Sequence, residues 1–110
     1  MEEIIVNILE SLNIEIGMDE LDTTESLDEY IVFSIYNDKD SNICDEGNLS
    51  ETYYISVNYW FKSMKNLNKH KEIKSLLKKH GFIYNDGKRL KSEGVHGKNM
   101  DFIYVIDISE

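Results

Sequence analysis

Residues 51–61, Glu51-Thr52-Tyr53-Tyr54-Ile55-Ser56-Val57-Asn58-Tyr59-Trp60-Phe61, form the strongest strand pattern in the chain. β-branched and aromatic residues dominate it. Tyr53, Ile55, Val57, Tyr59 and Phe61 share one face; Thr52, Tyr54, Ser56, Asn58 and Trp60 share the other. Working upstream, Tyr30–Tyr36 is a second β-rich run with Ile31, Phe33 and Ile35 on one face. The polar stretch Asn37–Ser50 turns the chain between them, so the pair is expected as an antiparallel hairpin.

Downstream, Asn68–His80 reads as a helix. Ile73, Leu76, Leu77 and His80 supply its apolar face, and Lys69, Lys71, Lys74, Lys78 and Lys79 populate the rest. Gly81 stands where a left-handed C-cap belongs. Phe82–Tyr84 starts another strand, and Asn85-Asp86-Gly87 is turn chemistry. After a connection holding Gly94 and Gly97, Asp101–Ile108 alternates as a closing strand.

At the N-terminus, Ile5, Ile8, Leu9 and Leu12 make one helical stripe, Glu2 and Glu3 suit its first turn, and Asn13 marks its stop. Ile14, Ile16 and Met18 alternate as a short strand leading into a meander. The order α-β-β-β-α-β-β predicts an α+β fold. Its mainly antiparallel sheet has about four to five strands, with two helices packed on one face.

The chain's 110 residues, 41% hydrophobic and 30% charged, suit a single globular domain over residues 1–110. A lone Cys44 forms no internal disulfide, which fits a reducing compartment. Acids Glu2 and Glu3 stand where a signal peptide needs bases, and no apolar run reaches membrane-spanning length. Synthesis in the cytoplasm without membrane association is therefore expected.

Charge is sorted along the chain. Residues 1–61 carry 15 acids and one base, Lys39, a net of −14; residues 62–110 carry 11 bases against 6 acids, a net of +5. Such asymmetry bears on association rather than fold. The segment from Asp19 to Glu29, with Asp19, Glu20, Asp22, Glu25, Asp28 and Glu29, reads either as a solvated loop or as a surface kept negative for a partner or a pore.

Asp38-Lys39-Asp40-Ser41-Asn42 opens like a calcium loop but lacks its glycine and closing glutamate, those positions being Ile43 and Leu49. His70, His80 and His96 have no zinc spacing, and Cys44 has no nucleophile signature around it. Gly97-Lys98 lacks the rest of a phosphate loop. No catalytic residue, metal or cofactor is therefore expected. The lysine-rich helix reads as a solvated face, since a chain of net −9 with one arginine is poorly equipped for nucleic acid. Tyr54 and Trp60 either project outward as interface aromatics, or Trp60 folds over the apolar rim.

From Thr52 onward the layout follows one scheme. An aromatic strand to Trp60 precedes Lys71-Glu72-Ile73-Lys74-Ser75-Leu76-Leu77-Lys78-Lys79, then Gly81-Phe82-Ile83-Tyr84, a polar excursion and the strand Phe102-Ile103-Tyr104-Val105-Ile106-Asp107. This layout, with the opening helix and the Tyr30–Tyr36 strand, resembles the small tail-completion proteins of long-tailed bacteriophages and prophages. These are also called tail terminators or tail-to-head joining proteins.

The resemblance implies a non-enzymatic virion structural protein made in the host bacterial cytoplasm. It implies a homo-oligomeric ring, typically hexameric, at the head–tail junction. Such a ring caps the tail tube and meets tube and neck or connector proteins, and DNA passes through it without specific binding. Its interfaces would draw on the acids of residues 19–29, on Tyr54 and Trp60, and on Lys69, Lys71, Lys74 and Lys78. The competing class is a small acidic immunity or inhibitor protein that covers a basic target.

Overall fold

Alternation in the central strands decides which side of the sheet is dry. In the computed structural model, which describes residues 1–21, 27–41 and 50–107, Tyr53 to Phe61 turn their odd-numbered side chains toward two helices. The elements are α1 (Glu2–Leu9), a 3-10 turn (Glu10–Leu12), β1 (Glu15–Met18), β2 (Glu29–Ser41), β3 (Ser50–Phe61), a second 3-10 turn (Met64–Asn66), α2 (Lys69–Lys79), β4 (Ile83–Ser92) and β5 (Val95–Asp107). This is the α+β order expected.

The five strands lie in the order β1-β2-β3-β5-β4. β3 is central and pairs antiparallel with β2 and with β5, β5 pairs antiparallel with β4, and β1 pairs parallel with β2. The core is one cluster on the helical side. Ile31 and Phe33 of β2, Ile55, Val57, Tyr59 and Phe61 of β3, and Met100 and Phe102 of β5 meet Ile5 and Leu9 of α1 and Ile73 and Leu77 of α2. Phe82 joins them, its ring stacked 4.2 Å from that of Tyr104.

Both helix ends follow local chemistry. Asn13 takes a left-handed conformation at φ 56° and closes the turn after α1, its N–H donating to the Glu10 carbonyl. After α2, Gly81 at φ 94° lets its N–H reach the Lys78 carbonyl and the Phe82 N–H reach the Leu77 carbonyl. This paired pattern is the Schellman motif. It delivers Phe82 into the core beside Leu77.

Four expectations need correction. β1 runs parallel to β2 rather than opening a meander, with Glu15 opposite Tyr30 and Met18 opposite Phe33. β2 runs on through Asp38 to Ser41, residues expected in a loop. Asn85-Asp86-Gly87 makes no turn. Asn85 is an extra residue in β4, where the register with β5 shifts between Tyr84 and Asp86, and the strand continues to Ser92. The reversal comes at Glu93–Gly94, with Gly94 at φ 80°. His80, placed on the apolar face of α2, is exposed.

Leu77 is fully buried where helix, cap and sheet meet. Leu77→Ala is expected to cost about 2–5 kcal/mol, read from the midpoint of urea unfolding.

Candidate interaction surface

Among the described residues, one ion pair joins the acidic and basic halves of the sequence. Glu29 opens β2 opposite Phe61 of β3, on the helical side of the sheet. Its Oε1 accepts a hydrogen bond of 2.6 Å from the Tyr59 hydroxyl. Lys69 Nζ, in the first turn of α2, donates to Oε1 at 3.0 Å and Oε2 at 2.8 Å. One carboxylate thus ties β2, β3 and α2 together. Burial works to raise the Glu29 carboxyl, but the Lys69 and Tyr59 hydrogen bonds and the Lys69 charge outweigh it and hold it below the usual value. Burial, then the Glu29 hydrogen bond and charge, push the Tyr59 hydroxyl well above its ordinary range.

Lys74 is also engaged within the fold, with its Nζ 3.8 Å from the centre of the Tyr84 ring, so it fastens α2 to β4. Lys71 and Lys78 are exposed. Lys71 and Lys79 border a shallow groove of about 450 Å³ between Leu12 and Leu76.

Among the sequence-predicted acids, Asp19, Glu20 and Asp28 are exposed. The backbone fixes their place: Asp19, at φ 65°, donates its N–H to the Phe33 carbonyl, and the Asp28 carbonyl accepts from the Lys62 N–H. Asp22 and Glu25 lie outside the described residues, as do Cys44 and the Asn42, Ile43 and Leu49 positions of the tested calcium pattern. Among the described residues, no three His, Cys, Asp or Glu side chains gather as a metal site.

The helix-free face of the sheet carries the two aromatics. Trp60 lies across Gly97, where an added Cβ would stand 2.7 Å from Trp60 Cε3 and 3.0 Å from Leu90. Gly97, expected in a connection, is thus a strand residue whose missing side chain makes room for the indole. Tyr54 sits 6.2 Å from Tyr36, ring centre to ring centre. The pairing continues their row through Ile103 to Ile83, and Tyr36 (55%) and Ile83 (56%) are largely exposed.

Between the two patches runs a polar belt. Asn99, only 6% exposed, donates from Nδ2 to Ser56 Oγ at 2.9 Å and to Asn58 Oδ1 at 2.8 Å. Sequence reasoning missed this network because neither alternation nor motif marks a buried amide on a face that helices leave open.

Across the sheet, charge follows strand order. The β1 flank carries Glu15, Asp19 and Glu20, and α1 with its 3-10 turn carries Glu2, Glu3 and Glu10, with no base in these segments. The β4 flank carries Lys88, Arg89 and Lys91 beyond its bulge, with α2 and its lysines against it.

Glu29→Ala should cost about 1–3 kcal/mol, chiefly because the buried Tyr59 hydroxyl loses its acceptor. Lys69 is 37% exposed, so the ion pair itself contributes little. Since the folded carboxyl is lowered, its contribution is complete above the ordinary value of 4.5 and is lost as pH falls through the folded value. Glu29→Gln, which keeps an acceptor for Tyr59, should therefore flatten the acid limb of stability against pH, measured by urea unfolding between pH 7 and pH 3.

No protein-family model matches this chain, and no curated protein is similar to it at a significant level.

Proposed function

We propose that the chain is a non-catalytic virion subunit, a tail-completion protein of a long-tailed bacteriophage. In this reading it forms a ring at the head–tail junction, caps the tail tube and joins it to the neck. The observation that carries the reading is the sorting of charge to opposite flanks of one sheet, acidic at β1 and basic at β4. A closed ring needs two unlike, complementary patches on every subunit. The order of helices and strands, the same as in the layout that resembles this family, supports it further. Acidic side chains left facing the bore would repel DNA phosphates and let the genome pass without adhering.

Deleting the gene from the phage or prophage tests the reading by electron microscopy. Filled heads without attached tails, and tubes of irregular length, are expected; normal virions would overturn it. The exposed acids of α1 and β1 favour a second reading, an acidic protein that covers a basic protein target. Negative-stain images at high concentration separate the two, with rings for the first and monomers or dimers for the second.

A combined Asp19→Asn, Glu20→Gln, Asp22→Asn, Glu25→Gln and Asp28→Asn variant, with Glu29 kept for its structural contacts, should lower ring yield and phage titre. Unchanged values would reduce these acids to a solvating loop.

A further inference from the structure

We propose that copies of this chain join edge to edge, β4 of one pairing with β1 of the next, so that the sheet continues from subunit to subunit. This deepens the ring reading and rests on it. β1 and β4 are the two ends of the sheet, and among the described residues each pairs on one side only. The outer edge of each strand therefore presents backbone N–H and C=O groups to a further strand.

Charge selects the heterologous pairing, and strand direction and length are compatible with it. Lys88, Arg89 and Lys91 on β4 are exposed, as are Glu15, Asp19 and Glu20 at β1. β4 against β1 is attractive. β4 against β4 sets Lys88, Arg89 and Lys91, offset only by Asp86, against the same net positive set, and β1 against β1 sets three anions against three. Basic residues on an edge strand normally suppress pairing; here they suppress only the symmetric kind, which would stop at a dimer.

Strand direction allows the pairing. β1 runs with β2, both β2 and β5 run against β3, and β4 runs against β5, so β1 and β4 have opposite senses. Rotating a copy about an axis along the strands brings β4 to β1 antiparallel, the arrangement most of this sheet already uses.

Length allows it too. β1 has four residues and β4 has ten. The short acidic strand limits the ladder, and the charges at its ends choose where along β4 it seats.

The test uses the full chain and two charge-reversed variants, K88E/R89E and E15K/E20K, in sedimentation velocity at low and high salt. Asp19 stays, because its backbone at φ 65° suits few other side chains. Wild type should form a closed oligomer that loosens as salt rises. Each variant alone should be monomeric while keeping its circular dichroism spectrum, and an equimolar mixture should regain the oligomer with the two variants alternating.

If either variant still assembles, or if the mixture stays monomeric, the edge pairing is overturned while the ring reading stands on the wild-type oligomer. A wild type that stays monomeric, both alone and with purified tail tubes, overturns both. Should a double variant fail to fold, the single reversals R89E and E15K carry the same comparison.

Discussion

Strand β3 is hydrogen-bonded along both edges for its whole length, with β2 on one side and β5 on the other, each from Ser50 to Phe61. Every other element takes its place from that double pairing. Tyr53, Ile55, Val57, Tyr59 and Phe61 face the helices because the pleat allows nothing else once Tyr54, Ser56 and Trp60 face away. A one-residue slip would send five large apolar groups into water. The helices need only one apolar stripe each, and α1 and α2 contribute Ile5, Leu9, Ile73 and Leu77 to it.

The contact of Glu29 with Tyr59 and Lys69 joins segments that are far apart in sequence and opposite in charge. It pairs one acid with one base within the subunit while leaving the larger division intact. That division follows strand order rather than chain order, since β5 enters the sheet between β3 and β4. Acid therefore gathers toward the β1 end and base toward the β4 end. A charge pattern that is merely sequential in the primary structure becomes lateral in the folded subunit.

Much of the fold could be read from residues with strong local preferences. Alternation marked β3 and β5, the helical stripes marked α1 and α2, and Asn13 and Gly81 marked the ends of the helical segments. Asn85-Asp86-Gly87 misled because turn residues also tolerate bulges, and the mostly polar β4 has no apolar alternation to outvote them. The parallel β1–β2 pairing was hidden because four alternating residues do not reveal direction. Of the candidate surface, exposure at Asp19, Glu20, Lys71 and Lys78 followed from charge alone. The capture of Glu29 by Lys69, and of Lys74 by Tyr84, did not, because these contacts depend on how α2 crosses the sheet.

Face polarity leaves one ambiguity in any long sheet, since a slip of two residues returns every side chain to its own side. Asn99 resolves it between β3 and β5. Its amide reaches Asn58 directly across the ladder and Ser56 beside it, both on β3. A two-residue slide would set that amide opposite Trp60 or Ser56 and would carry the indole off Gly97. The polar belt thus acts as a register lock, a key cut for one alignment among several that hydrophobicity alone would accept.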